Sequence, residues 1–220
     1  MTNWLRQQLP QMEEALAALV ALNSFSANRE GCQRVASKLE ELFAIDGLTC
    51  QRVPGRAHGD HLVFRSEGAG APIALLGHLD TVFPPGSFEG YVVDGALRRG
   101  PGVLDMKGGL VVIAWALKAL AREGTLPALR IVIVSDEEVG SPEGAPLIRE
   151  AITGCSAALV FESGRANDAI VTERKGTGSA TVTATGKAAH AGNAYWEGAN
   201  AIWALSRFVD AAQRLSKKDD

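Results

Sequence analysis

Apolar positions recur first at helical spacing and then in short unbroken runs. Pro10 suits a first helical turn, and Met12, Leu16, Leu19 and Leu22 follow at steps of three or four. Asn28 can cap a second helix, in which Val35, Leu39 and Leu42 share one face, and Ile45-Asp46-Gly47 ends it. The segment His61-Leu62-Val63-Phe64 reads as a short strand before a turn at Glu67-Gly68-Ala69-Gly70. Ile73 to Leu76 is apolar without interruption, as in a strand buried on both faces. Lys107 to Arg122 predicts a helix whose early Gly108-Gly109 pair permits close backbone approach. Leu129 to Val134 and Ala157 to Phe161 predict two more buried strands, with a helix over Gly144 to Ala151 between them. Strands alternating with helices predict an α/β domain of stacked layers, with its ligands on loops at strand ends.

The pattern changes near Lys175. Ser179 to Thr185 alternates Ala180, Val182 and Ala184 with threonines, which predicts a half-solvated strand of a different sheet. A helix is predicted from about Glu197 to Leu215, with Ile202, Leu205 and Val209 on one side. One strand and one helix cannot bury a core alone, so residues 176–220 read as the start of a second domain after a first of 1–175.

Composition narrows the function classes. Hydrophobic residues make up 46% and charged residues 21%, a balance that permits a real core. The net charge of −3 gives no reason to expect nucleic acid, which usually requires a basic patch. No apolar run approaches the ~20 residues that span a bilayer, so no membrane association is expected. Met1 to Leu9 lacks a signal-like apolar core. Cys32, Cys50 and Cys155 are scattered without CxxC spacing, which reads as reduced thiols and a cytoplasmic location.

Chemistry-bearing residues cluster after the apolar runs. In Gly77-His78-Leu79-Asp80-Thr81-Val82 the imidazole and Asp80 lie on the same side of an extended chain, where a carboxylate can fix the ring tautomer. Taken alone, the pair reads more readily as a strand-end histidine beside a surface aspartate. Asp105, in Gly100-Pro101-Gly102-Val103-Leu104-Asp105-Met106-Lys107-Gly108-Gly109, can bridge two metal ions, which lie ~3.5–4 Å apart in two-metal sites, or can cap the following helix. Glu137 and Glu138, in Asp136-Glu137-Glu138-Val139-Gly140-Ser141, would point in opposite directions on an extended chain. One could then bind metal while its neighbour faces a water; the alternative is a solvated acidic loop. Glu162 follows the run Ala158 to Phe161. His58 and His61 fall outside these segments and read as surface histidines.

The ordered segments GHxDTV, GPGxxDxKGG, DEExGS and Gly186-Lys187-Ala188-Ala189-His190-Ala191-Gly192 make the chain resemble a known family. It is similar to the two-zinc metallopeptidases and amidohydrolases that include glutamate carboxypeptidase, aminoacylase, acetylornithine deacetylase and succinyl-diaminopimelate desuccinylase. Within that group the chain resembles glutamate carboxypeptidase in particular. The resemblance implies a three-layer α/β catalytic domain with a mixed, mainly parallel sheet over 1–175, and an incomplete α+β lid or dimerisation domain over 176–220. It implies two zinc ions, replaceable by cobalt or manganese. His78 and Glu162 would hold one ion, Asp105 would bridge both and Glu138 would hold the second. Asp80 would orient His78, and Glu137 would act as general base and then proton donor. His190 would polarise the scissile carbonyl in a partner's site within a homodimer; its alternative is a partly buried structural histidine. A cis peptide is implied at Asp105-Met106. Trp196 and Trp203 read as lid packing.

The implied reaction is hydrolysis of an amide bond in a peptidyl or N-acyl amino acid. The family completes its second zinc with a histidine from a segment beyond the lid, and these 220 residues hold no counterpart. The alternative reading is therefore a noncatalytic remnant or subunit that binds at most one metal and pairs with a homologous chain.

Overall fold

A computed structural model of the protein describes residues 1–124, 126–176 and 178–216. The chain divides into two units, Met1–Ile170 and Val171–Asp220. In the first, helices α1 (Thr2–Gln7), α2 (Leu9–Val20) and α3 (Arg29–Leu42) precede strands β1 (Thr49–Val53), β2 (His61–Ser66) and β3 (Ile73–His78). A hairpin of β4 (Val92–Asp94) and β5 (Leu97–Arg99) leads to α4 (Gly108–Arg122), β6 (Leu129–Val134), α5 (Gly144–Ile152) and β7 (Ala157–Val160). The second unit holds α6 (Ala201–Gln213).

The main sheet has the order β1-β2-β6-β3-β7. Its β1-β2 and β2-β6 pairs are antiparallel, while β3 pairs in parallel with both β6 and β7. Side chains of a strand alternate between faces, and both faces are covered. Leu62, Phe64, Leu75, Ile131 and Ile133 pack with Leu19, Val35, Leu39, Leu110 and Leu117 from α2, α3 and α4. Val63, Val132 and Val134 pack on the other face against Ala151, Leu147 and Ile148 of α5. This is the layered arrangement anticipated from the run pattern and the three-layer form implied by the resemblance.

Local chemistry sets the helix ends. The Asn28 side chain accepts from Gly31 N at 3.1 Å, capping α3 as predicted. Arg52 ties β1 to α3, donating to Asp60 Oδ2 at 2.8 Å, Glu40 Oε2 at 2.9 Å and Gln33 O at 3.1 Å. The Gly108-Gly109 pair is used as anticipated: a Cβ on Gly108 would lie 2.4 Å from Val103 O, and one on Gly109 2.2 Å from Phe161 O.

Several sequence expectations are corrected. Ala157 to Phe161 does form a strand, but Leu159 and Val160 are 49% and 59% exposed, because β7 ends the sheet order. Burial on both faces requires neighbours that an edge position lacks. Ser179 to Thr185 forms no strand; a strand needs a ladder partner, and the described residues of this unit offer only an isolated bridge between Lys187 and Ala199. His61 is not a surface residue: at 1% exposure it lies in the sheet, with Nδ1 accepting from Ser135 N at 3.3 Å. His58 is partly buried, its Nδ1 3.1 Å from Ser26 O. Strand β1 was not anticipated, because an exposed edge strand reading Thr-Cys-Gln-Arg-Val carries no apolar run. The β4-β5 hairpin was not anticipated either; it turns at Asp94-Gly95, with Gly95 at φ 58. No helix among the described residues is long and apolar enough to cross a membrane.

Candidate metal centre

Parallel pairing makes neighbouring strands end together. His78, the last residue of β3, pairs with Val134, the last of β6, and Leu76 pairs with Val160, the last of β7. The loops that follow, carrying Asp80, Glu137, Glu138 and Glu162, therefore emerge at one edge of the sheet. Asp105 arrives from the N-terminal side of α4, where Asp105 and Met106 leave helical geometry at φ −125° and −131° across a cis peptide. Gly77 makes room for this turn, since a Cβ there would sit 2.6 Å from Met106 Cε.

His78 is the hub. Its Nε2 lies 3.1 Å from Asp105 Oδ1 and 3.7 Å from Glu162 Oε2. One ligand atom each from His78, Asp105 and Glu138 all fall within 4.8 Å of one another. On the other side of the ring, Nδ1 lies 3.0 Å from the Asp80 carbonyl and 3.4 Å from Asp80 Oδ1, so backbone and carboxylate of one residue fix the imidazole together. The Asp80 carboxylate is itself held by Ser26 Oγ at 2.6 Å and by Glu137 N and Glu138 N, each at 3.2 Å.

Glu137 and Glu138 occupy a short 3-10 turn, Glu137–Val139, rather than an extended chain, so strand alternation does not govern where they point. The shared Asp80 carboxylate and Gly140 at φ 89 fix that turn instead. Asp136 faces inward, where Oδ2 accepts from Glu143 N at 2.6 Å and Gly144 N at 3.0 Å at the start of α5.

Charge is concentrated here. Burial alone would lower the His78 pKa, but the Asp80 and Glu162 carboxylates outweigh it and push it up to about 11. Asp80 is held below the usual carboxylate range: burial opposes this, and hydrogen bonds from His78, Ser26 and the Glu138 amide prevail. Glu137 and Glu138 are both raised, first by burial and then by surrounding carboxylates, against the pull of His78. Lys107 does not neutralise the cluster; it is buried with Nζ donating to Leu19 O at 3.1 Å and Leu22 O at 2.8 Å. An imidazole nitrogen grouped with carboxylates that repel one another is a donor set suited to a divalent cation such as zinc, cobalt or manganese.

Of the sequence-predicted residues, His78, Asp80, Asp105, Glu137, Glu138 and Glu162 thus share one neighbourhood. His190 belongs to the second unit, where it is exposed and its Nδ1 accepts from Gly192 N and Asn193 N, both at 3.1 Å. It is not the partly buried structural histidine of the alternative reading. Sequence reasoning missed Ser26, which lies 54 positions from its partner in a segment without a recognisable motif.

Similarity to known proteins identifies the family and the fold. The family model described as Peptidase family M20/M25/M40 matches residues 74–218. The chain is 31% identical over 217 residues to carboxypeptidase G2 of Pseudomonas sp. (strain RS-16), covering 95% of this chain and 52% of that protein. It is 32% identical over 200 residues to a succinyl-diaminopimelate desuccinylase of Rhodospirillum rubrum, covering 79% and 50% respectively. The chain spans about half the length of these curated relatives. Among solved structures, aminopeptidase PepT of Bacillus cereus superposes with a TM-score of 0.68 at 18% identity, over 90% of this chain and 55% of that one. An M20 family metallo-carboxypeptidase of Sulfolobus solfataricus gives 0.58 at 18% identity, over 70% and 37%. These two share the fold. With the matched segment reaching from β3 through the acidic turn to the second unit, the chain belongs to Peptidase family M20/M25/M40.

Proposed function

We propose that this chain carries the metal-binding part of a hydrolase that cleaves an amide bond in a peptidyl or N-acyl amino acid, in the manner of a glutamate carboxypeptidase. The observation that carries this reading is the grouping of His78, Asp105 and Glu138 ligand atoms within 4.8 Å, beside Glu137. His78 and Glu162 would hold one divalent cation, Asp105 would be shared, and Glu138 would hold a second. Zinc is the proposed metal. When bound, such cations supply Lewis acidity toward the water and the scissile carbonyl oxygen.

The chain's own residues handle the proton. Glu137, its basicity raised by burial and by neighbouring carboxylates, accepts a proton from the attacking water at a carboxylate oxygen. The water oxygen adds to the carbonyl carbon. Glu137 then returns that proton to the departing nitrogen, and the C–N bond breaks to give a carboxylic acid and an amine. Asp80 holds the turn that presents Glu137 through the amide at 3.2 Å. Residues 176–220, with His190, are proposed as the start of a lid through which two copies pair. The names of the similar carboxypeptidase and desuccinylases support the peptidyl and N-acyl substrate classes.

The test combines zinc titration of the chain with a hydrolysis panel of N-acyl amino acids and peptides ending in glutamate. Zinc binding with turnover, lost in Glu137→Gln while zinc is retained, is the expected result. Undiminished turnover in Glu137→Gln would remove the assigned base, and failure of the chain to bind zinc would remove the metal centre.

A further inference from the structure

Ser26 stands outside every motif, yet it makes a short hydrogen bond to the site. Its Oγ donates to Asp80 Oδ2 at 2.6 Å, and both residues are buried. The same oxygen accepts from Glu138 N, while Asp80 Oδ1 accepts from Glu137 N, both at 3.2 Å. The carbonyl of Asp80 meets His78 Nδ1 at 3.0 Å. One aspartate therefore links the imidazole to the acidic turn, and Ser26 is the side chain that anchors it from outside the cluster.

The hydroxyl is placed by backbone rather than by chance. Thr81 N donates to Ser24 O at 2.8 Å and Ser26 N donates to Thr81 O at 3.2 Å, so residues 24–26 run beside the segment that carries Asp80. The Ser26 carbonyl is engaged by His58 Nδ1 at 3.1 Å. These main-chain bonds do not depend on the side chain, so removing the hydroxyl isolates its effect on Asp80.

We infer that Ser26 is a positioning residue for the metal centre, locking the Asp80 carboxylate so that His78 and Glu138 are held at metal-binding separation. This rests on the proposed metal-dependent reading of the site. Without the hydroxyl, Asp80 Oδ2 keeps only the longer Glu138 amide bond, and the carboxylate can rotate away from the two amides. Partners behind metal ligands typically change metal affinity by about 10–100-fold when removed. Ser26 acts one residue further back, so the lower end applies, about 10-fold.

The experiment measures zinc affinity of the full chain by competition with a chelating indicator, together with the visible spectrum of the cobalt-loaded chain, for wild type and Ser26→Ala. Expected are about 10-fold weaker zinc binding and an altered cobalt spectrum, with the melting temperature of the metal-free chain recorded alongside. An unchanged affinity and spectrum overturn the inference, even if the metal-free chain melts lower, because that pattern belongs to a packing role alone. Wild-type chain that binds neither metal would instead overturn the proposed function on which the inference rests. Ser26→Thr keeps the hydroxyl and is expected to bind zinc more tightly than Ser26→Ala.

Discussion

Gly109→Ala puts the close approach of α4 to the strand-end loops to a test in which two effects have opposite signs. Replacing a helical glycine with alanine normally stabilises by about 0.5–1 kcal/mol, through the lost freedom of the unfolded chain and of the glycine itself. Here the added Cβ would lie 2.2 Å from Phe161 O and 3.1 Å from Met106 Cε. Carbon–oxygen contact at van der Waals distance requires the carbonyl to withdraw by about 1 Å. Overpacking costs about 1–3 kcal/mol, and a clash this deep against a backbone carbonyl belongs to the upper part of that range, so it prevails with a net loss of about 1–2 kcal/mol. For a unit of this size that lowers the melting temperature by roughly 2–8 °C. Because Phe161 immediately precedes Glu162, whose Oε2 lies 3.7 Å from His78 Nε2, the shift also displaces a proposed ligand. Misplacement of about 1 Å can reduce turnover by about 100-fold. Thermal unfolding followed by circular dichroism, with hydrolysis measured in parallel, checks both. A variant that melts higher than wild type would refute the reasoning, since it would mean the helix start has room to spare.

Other outcomes follow from the same structure. Saturating zinc at about 100 times its Kd should stabilise the chain by about 2.7 kcal/mol, an increment seen as a higher melting temperature that a chelator abolishes; His78→Ala should lack it. Phe64→Ala removes a fully buried ring stacked on Phe43 at a centroid distance of 5.0 Å, and should lower unfolding free energy in urea by about 3–5 kcal/mol. Arg52→Gln breaks the clamp between β1 and α3 and is expected to cost about 1–2 kcal/mol at neutral pH. Burial would raise the Asp60 pKa, but the Arg52 hydrogen bond and those from Gly55 and Gln33 hold it below the usual value. A depressed carboxylate stabilises above its unfolded pKa of about 3.9 and loses that contribution as pH falls through its folded value. The gap between wild type and Arg52→Gln should therefore narrow in acid unfolding measurements below about pH 4; a constant gap would contradict the assignment.

Much of the layered α/β domain was legible because burial imposes runs. The segments at 73–76 and 131–134 are apolar throughout because β3 and β6 are covered on both faces, and α3 announced itself through Asn28 and its single apolar side. The ligand candidates were legible for a related reason: polar residues directly after a buried strand are conspicuous. What ran against burial was missed. Strand β1 is an exposed edge, β7 is apolar in sequence yet exposed, and His61 is polar in sequence yet buried beside Asp136.

The sequence by itself determined most element types of the first domain, the family and the candidate metal ligands, because period, capping and motif order are properties of the chain alone. Only the tertiary structure decided that His78, Asp105, Glu138 and Glu162 meet, because that depends on the parallel register of β3 with β6 and β7 and on the glycines that let α4 approach. It also decided the part of Ser26. A hydrogen bond across 54 positions leaves no local pattern in a sequence, and only the packing of residues 24–26 against the strand-end loop brings the hydroxyl to Asp80.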